Sequence, residues 1–130
     1  MKPILDSLTN PVRMVFFTQE FECESCRDTG ALLGETAALS DKIALETYNF
    51  QLDKDQARQY GVDKIPALAI VGARDYGVRF YGIPAGYEFS SVLDAVQAVS
   101  SGDSGLSAAT REKLKAVTQP IHIQVLVTPT

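Results

Sequence analysis

Two cysteines separated by two residues, Cys23 and Cys26, constrain the fold of this chain more than any other feature. They are the only cysteines in the sequence, and they follow an apolar run at residues 14–18. A continuous apolar run of this kind predicts a buried strand, and the residues after Cys23 have the spacing of a helix. The dithiol is therefore expected between a strand and a helix, at a helix N-terminus, where a thiolate is favoured.

Length and composition predict a single globular domain without a nucleic-acid or membrane partner. The chain has 130 residues, is 45% hydrophobic and carries a net charge of −4. A general nucleic-acid binder needs a basic face, and a membrane span needs an apolar run of about 20 residues. Residues 1–10 contain no uninterrupted apolar stretch and do not resemble a secretory signal. We therefore expect a cytoplasmic protein, in which a lone Cys-x-x-Cys is catalytic or metal-binding.

The hydrophobic periodicity predicts alternating strands and helices. Helices are predicted at residues 3–10, 23–39, 53–60, 88–99 and 107–118, and strands at 12–18, 42–50, 67–71, 78–82 and 121–127. Without the two ends, the order is β-α-β-α-β-β-α, in which a parallel crossover precedes an antiparallel hairpin. The pattern predicts an α/β fold with a central mixed sheet flanked by helices and with an extra C-terminal helix and strand. The polar, glycine-containing residues 100–105 are the predicted linker.

Thiol–disulfide exchange is the chemistry that this spacing favours. The reaction needs an exposed thiolate that attacks and a second thiol that releases the mixed disulfide. We therefore assign Cys23 as the nucleophile and Cys26 as the resolving thiol. Two unrelated free cysteines remain an alternative, and so does a structural metal pair. A metal site is not predicted, because zinc usually takes four protein ligands and only His122 remains among the nitrogen and sulfur donors.

Acidic residues surround the dithiol in the sequence. Glu20, Glu22 and Glu24 flank Cys23. A carboxylate near a thiolate raises the pKa of the thiol and opposes the effect of a helix terminus. We expect the Cys23 thiolate to be only modestly stabilised.

A second signal lies about forty residues after the dithiol, where Ile65-Pro66 precedes the apolar run at 67–71. A proline at the start of a strand cannot donate to the ladder and can adopt a cis bond. The dipeptide is a weak signal by itself. It becomes specific in combination with an upstream Cys-x-x-Cys and with its position between a helix and the third strand.

The dithiol, Ile65-Pro66 and the order of elements together resemble the thioredoxin/glutaredoxin superfamily over residues 12–100. The resemblance implies a thioredoxin-like fold in which Pro66 is cis and faces the dithiol. It also implies that the backbone of Ile65 pairs with substrate as an added strand. Gly82 would keep the rim of the site low enough for a peptide.

A narrower resemblance divides the chain into two parts. Residues 80–89 resemble the N-terminal unit of protein disulfide oxidoreductases, a glutaredoxin-like family with two fused thioredoxin folds, each with its own Cys-x-x-Cys. Residues 123–130 resemble the first strand of the second unit. We therefore expect a thioredoxin-like domain at 1–105, and a C-terminal helix and strand at 106–130 that open a second, missing unit.

The chain departs from thioredoxin itself at two points. It contains no tryptophan, and Phe17 stands six residues before Cys23, where thioredoxin has a buried aspartate that assists proton transfer. These departures weaken the expectation of thioredoxin-level reductase activity. Another carboxylate, such as Glu20, would have to accept the proton from Cys26 and return it.

The sequence therefore predicts an oxidoreductase that acts on protein disulfides in cell redox homeostasis. Its redox-active group would be the Cys23–Cys26 disulfide, with no other cofactor, and its partners would be protein disulfides and an upstream thiol or electron donor. A non-catalytic binding or adaptor module is the main alternative, and glutaredoxin-like iron–sulfur binding is a third. Because a strand at residues 121–128 would carry unpaired edge groups, it is expected to pair with the domain's own sheet or with a second copy in a homodimer.

Overall fold

The computed structural model describes residues 1–128 of the chain. Its helices are α1 (Lys2–Asp6), α2 (Cys26–Ala37), α3 (Lys54–Gln59), α4 (Tyr87–Ser101) and α5 (Ala108–Leu114). Its strands are β1 (Val12–Thr18), β2 (Ile43–Asn49), β3 (Ala67–Val71) and β4 (Val78–Tyr81). In the described residues, no helix is both long enough and apolar enough to cross a membrane.

The four strands form one mixed sheet in the order β2-β1-β3-β4. β1 pairs in parallel with β2 and antiparallel with β3, and β3 pairs antiparallel with β4. β1 and β3 are central, and their continuous apolar sequences follow from burial on both faces. The predicted α/β architecture with a mixed sheet and flanking helices is confirmed.

Each face of the sheet is covered by its own hydrophobic cluster. Met14 and Phe16 of β1 lie in a cluster that includes residues of α1, α2 and α4. Val15 and Phe17, which point to the opposite face, pack with α3 and with residues along the whole of β3. The edge strand β2 divides in the same way, with Ile43 in the first cluster and Tyr48 against the second.

Helix α2 approaches β1 closely because Gly30 has no side chain. A Cβ atom at Gly30 would lie 3.2 Å from Cε1 of the Phe16 ring. That distance is shorter than an ordinary van der Waals contact, so even a methyl group would require the ring or the helix to move. The absence of a side chain at Gly30 therefore sets the spacing between the helix and the central strand.

The predicted linker begins later than the sequence suggested, because α4 continues through Ser101. Ser100 is buried, and its Oγ accepts hydrogen bonds from the backbone N–H groups of Thr9 and Asn10, both at 3.0 Å. The same hydroxyl donates to the carbonyl of Asn10 at 2.7 Å. Ser100 therefore belongs to the packed domain and fixes the segment that enters β1.

The predicted C-terminal strand is wrong for the residues that the structure describes. Residues 121–128 form no helix or strand and are all exposed, while Pro129 and Thr130, which belong to the same predicted segment, lie outside the described residues. Helix α5 is also shorter than predicted, and none of its residues is buried. Alternating apolar residues specify a strand only when a sheet edge pairs with them, and this segment pairs with neither β2 nor β4.

Candidate active site

The dithiol lies in a turn between β1 and α2, as the sequence predicted, but the helix begins three residues later than expected. Cys26 is the first residue of α2, and Ser25 is its N-cap. Cys23 precedes the helix in a turn in which the Cys26 N–H donates to the Cys23 carbonyl at 3.4 Å. The first helical hydrogen bond runs from the N–H of Thr29 to the carbonyl of Ser25. The predicted helix start at Cys23 is therefore corrected to Cys26.

Cys23 and Cys26 are joined by a disulfide bond, with their Cα atoms 5.4 Å apart. The two cysteines differ in exposure. Cys26 is only 2% exposed, whereas Cys23 is partly accessible to solvent. A partner thiol or disulfide can therefore reach the sulfur of Cys23 more readily than that of Cys26.

The turn before the dithiol has an unusual backbone and an exposed aromatic side chain. Glu22 adopts a φ of 56°, which only a small share of non-glycine residues adopt. The side-chain amide of Gln19 donates to the carbonyl of Phe21 at 2.6 Å. Phe21 is 76% exposed, beside Cys23 in the chain. The sequence analysis did not single out Phe21, although an aromatic residue between two glutamates in a loop was a signal for it.

Pro66 and Gly82 lie at the edge of the sheet where β1 ends. Phe17 and Tyr81 both lie opposite Ala67, so the C-terminal ends of β1 and β4 meet the N-terminal end of β3. The Gly82 N–H donates to the Pro66 carbonyl at 2.9 Å, and Gly82 has a φ of 82°, which favours glycine. The Ile65–Pro66 peptide bond is cis. The structure thus places both residues at the sheet edge from which the chain continues to the dithiol.

The backbone of Ile65 is unpaired in the described structure. Among residues 1–128, no hydrogen bond involves its N–H or its carbonyl, and the residue is partly exposed beside the start of β3. A backbone segment with free donors and acceptors beside a strand is the feature to which an extended peptide can add.

Phe17 packs in the hydrophobic cluster of its sheet face, against two tyrosine rings. Its ring is buried and stacks on Tyr48 with 5.6 Å between ring centroids, and Tyr60 lies 6.0 Å away on the same measure. The buried polar side chains of residues 1–128 are Thr29, Thr36 and Ser100, so no carboxylate is buried among them. Glu20, the acceptor suggested for the Cys26 proton, is exposed.

The carboxyl group of Asp75 has a lowered pKa, and it lies away from the dithiol. Arg79 donates hydrogen bonds to Asp75, and this lowers the pKa of the Asp75 carboxyl group. Asp75 is in the loop that joins the C-terminal end of β3 to β4, at the opposite end of the sheet from Pro66. The ion pair therefore belongs to the hairpin and not to the redox site.

No group of three or more histidine, cysteine, aspartate or glutamate side chains is arranged to hold a metal ion in the part of the chain that the structure describes. The groups available for chemistry in the described residues are the sulfur atoms of the disulfide, the unpaired backbone of Ile65 and exposed carboxylates. These carboxylates belong to Glu20, Glu22 and Glu24. Two sulfur atoms joined in a disulfide suit a reaction at sulfur.

The chain is similar to known redox proteins, although no protein-family model matches it. It is 31% identical over 119 residues to the F component of the alkyl hydroperoxide reductase of Pseudomonas aeruginosa, a match that covers 90% of this chain and 20% of that protein. The chain thus spans only about a fifth of the length of this curated relative.

Two solved structures agree closely with the fold. A protein disulfide oxidoreductase from Aeropyrum pernix has a TM-score of 0.79 and 30% identity, with 89% of this chain and 51% of that chain covered. The N-terminal domain of the alkyl hydroperoxide reductase AhpF of Enterococcus faecalis also has a TM-score of 0.79 and 30% identity, with 88% and 56% covered. Several thioredoxins, at 16–19% identity, share the fold only. The thioredoxin-like fold and the similarity to the N-terminal unit of a two-unit oxidoreductase are confirmed.

Proposed function

We propose that this chain is a thiol–disulfide oxidoreductase that acts on protein disulfides. One observation carries the proposal: Cys23 and Cys26 form a disulfide in which Cys23 is partly exposed and Cys26 is buried, at the N-terminus of α2. Reversible exchange needs this asymmetry, because one thiol must meet the substrate while the other is held in reserve. The similarity to a protein disulfide oxidoreductase supports the same chemistry.

In the reducing direction, the Cys23 thiolate attacks one sulfur of a substrate disulfide. A bond forms between Cys23 and that sulfur, and the other substrate sulfur leaves as a thiolate that takes a proton. Cys26 then loses its proton and attacks Cys23, which releases the second substrate sulfur as a thiol. Two electrons have moved from the dithiol to the substrate, and the Cys23–Cys26 disulfide has formed.

We assign substrate binding to Ile65, Pro66 and Gly82. The unpaired backbone of Ile65 supports pairing with an extended peptide, and the lack of a side chain at Gly82 leaves space beside Pro66. A peptide bound in this way would bring its disulfide along the edge towards Cys23. We therefore expect protein disulfides, rather than compact small molecules, to be the better substrates.

The reduction of insulin by dithiothreitol tests the proposed function. The parent protein should accelerate insulin precipitation, and Cys23→Ser should abolish the acceleration because the attacking sulfur is gone. Cys26→Ser should accumulate a mixed disulfide between Cys23 and the substrate, detectable by mass spectrometry of the intact protein. Unchanged activity of Cys23→Ser would reject the catalytic role. An inactive parent protein would favour an adaptor module.

The reduction potential of the Cys23–Cys26 couple is the complementary measurement. The exposed glutamates around Cys23 support only modest stabilisation of the thiolate, which makes the disulfide a weak oxidant. We expect a potential nearer to about −270 mV than to about −120 mV, at the reducing end of the thioredoxin-fold range.

The proposed partners are protein disulfides and an upstream thiol or electron donor, with no nucleic acid and no membrane surface. We also propose that residues 121–128 pair with a second copy of the chain. Ile123, Val125 and Leu126 are largely exposed and have no partner strand in the described structure, which supports this proposal. Deletion of residues 119–130 should then convert a dimer into a monomer by light scattering, and an unchanged mass would contradict it.

The division into a domain at 1–105 and the opening of a second unit at 106–130 stays a prediction. The matched Aeropyrum pernix chain is about twice as long as the covered part, which supports a second unit in proteins of this kind. We propose the cytoplasm as the compartment, because its thiol systems would supply electrons to the dithiol. Subcellular fractionation with an antibody against the chain tests the compartment.

A further inference from the structure

Carboxylates flank the partly exposed cysteine of the redox pair on both sides in the chain. Glu20 and Glu22 lie in the turn before Cys23, and Glu24 follows it directly. All three side chains are exposed, and none of them takes part in a salt bridge within residues 1–128. Their charges are therefore free to act on a molecule that approaches Cys23.

Few cations offset this negative charge. Arg27 is the one basic residue between residues 20 and 28, and Asp28 follows it in the first turn of α2. Lys64, beside the sheet edge of Pro66, already pairs with Asp63 at 3.3 Å and lies over the ring of Tyr81. The segment of residues 20–28 consequently carries four carboxylates and one guanidinium, a net charge of −3.

We infer that the site selects disulfides that are flanked by cationic groups, and disfavours those flanked by carboxylates. The inference rests on the proposed function, because the accessible sulfur of Cys23 is the independent reason for a ligand to come to this surface. A cluster of acids elsewhere on the molecule would have no such consequence. At this position, every disulfide that reacts must enter the field of the three glutamates.

Phe21 extends the same preference to side chains with long apolar stems. Its ring is 76% exposed between Glu20 and Glu22. Lysine and arginine bury their methylene groups on apolar surfaces while the charged head stays in water, and a cation over an aromatic ring is attracted to it. An aromatic ring between two carboxylates therefore suits a basic peptide segment better than an acidic one.

Charge of this kind alters the rate of exchange measurably. Two unit charges about 7 Å apart in water change a rate by roughly threefold when salt is low. Several carboxylates act together here, and a cationic and an anionic substrate are shifted in opposite directions. We expect a preference of about fivefold to twentyfold between the two at low ionic strength, falling towards none in 1 M salt, where the Debye length is about 3 Å.

Three small disulfides test the inference. Cystamine is dicationic, bis(2-hydroxyethyl) disulfide is neutral and 3,3′-dithiodipropionate is dianionic. The pre-reduced, desalted full chain transfers two electrons to each of them, which re-forms the Cys23–Cys26 disulfide and releases two thiols. Each rate is divided by the rate at which dithiothreitol reduces the same probe, so that the intrinsic reactivity of the probes cancels.

Two matched variants, in which carboxylates are replaced by neutral amides, show which part of the surface causes the preference between the probes. Glu20→Gln, Glu22→Gln and Glu24→Gln are combined in one protein, and Glu35→Gln, Asp41→Asn and Asp94→Asn are combined in the control. Both triple variants raise the net charge by the same amount, but the control residues are exposed at other places on the fold. The ratio of the cystamine rate to the dithiodipropionate rate is compared, because any change in the amount of Cys23 thiolate affects both rates equally.

The expected result is a ratio above one that falls in the first triple variant and in 1 M salt, and that persists in the control. A ratio of one or below in the parent protein would overturn the inference while leaving the proposed function intact, provided that the neutral probe reacts. An equal fall in both triple variants would also overturn it, because net charge and not the site would be responsible. A lack of reaction with all three probes would overturn the inference, while the insulin assay decides separately whether the proposed function holds.

Discussion

Strand β2 and residues 121–127 have similar alternating sequences, but only β2 forms a strand in the structure. Both segments alternate between apolar residues and other residues, and both were predicted to be strands. β2 pairs along its whole length with β1, whereas residues 121–127 are exposed and pair with no strand of the described structure. Alternation therefore shows that a segment is able to form a strand, and the presence of a complementary edge decides whether it does.

The two segments also differ in what their apolar side chains contact. Ile43 of β2 is 7% exposed and lies in the cluster between the sheet and the helices, while Ile123 is 80% exposed. The same residue type thus contributes to the core in one segment and to the surface in the other. Substitution of Ile43 and of Ile123 by the same residue therefore tests whether the two segments differ in packing.

The largest expected difference comes from Ile43→Ala compared with Ile123→Ala. Ile43→Ala should lower the free energy of unfolding by about 2–5 kcal/mol, because it removes buried methyl groups and leaves a cavity. Ile123→Ala should change it by less than about 0.5 kcal/mol, as exposed substitutions do. Urea unfolding followed by far-ultraviolet circular dichroism measures both. A loss of more than about 1 kcal/mol in Ile123→Ala would mean that the segment packs in solution, and would break the comparison.

A smaller effect is expected where the packed domain ends, at Ser100. Ser100→Ala removes the acceptor for two backbone N–H groups and should cost about 1–3 kcal/mol. Ser101→Ala is the control, because the Ser101 hydroxyl is exposed and bonds only to neighbouring residues of its own segment. Chemical unfolding of the two variants compares them. Equal stabilities would place the end of the packed domain before residue 100.

The smallest effect concerns two ion pairs, Asp75–Arg79 in the hairpin and Asp103–Arg111 near α5. Hydrogen bonding to arginine lowers the pKa of the Asp75 carboxyl group, and hydrogen bonds from the Gly105 N–H and from Arg111 lower the pKa of Asp103. A lowered folded pKa stabilises the folded state above the unfolded value of about 3.8, and this stabilisation is lost as the pH falls through the folded pKa. Asp75→Asn should cost about 0.5–1 kcal/mol at neutral pH, a modest figure because the pair is partly screened by solvent.

Acid titration of the unfolding free energy measures this effect. The parent protein and Asp75→Asn should differ at pH 6 and converge as the pH falls towards 2. Asp103→Asn is the control, and its unfolding should follow that of the parent protein, since α5 buries no side chain against the domain. A clear loss in Asp103→Asn would show that the C-terminal region supports the domain after all.

The sequence predicted most of the domain because its strongest patterns arise from burial. β1 and β3 are continuous apolar runs, and both were located at the correct residues because a central strand is covered on both faces. The start of α2 was misplaced because the residues between Cys23 and Ser25 fit a turn or a helix equally well. The burial of Ser100 was missed because a serine in a polar stretch shows no sign of partners ninety residues away.

The Cys23–Cys26 pair and the position of Pro66 just before β3 were also visible in the sequence, since cysteine spacing and proline position are local signals. The left-handed backbone of Glu22 was not, because it depends on how the turn is closed by Gln19. The Gln19 hydrogen bond is local, but residue type alone does not show that it forms, whereas the partners of Ser100 are tertiary contacts. Surroundings, rather than residue type, decide these features.

Gly30 suggests how redox chemistry in such a fold can diverge without any change to the residues that meet a substrate. The glycine lies four residues after Cys26 on the same helix and lets that helix rest directly on the ring of Phe16. A side chain at Gly30 would require the Phe16 ring or the helix to move, and a helix that moved would carry Cys26 with it. A substitution in the core is therefore one way to change the position of Cys26 while the residues that meet a substrate stay the same.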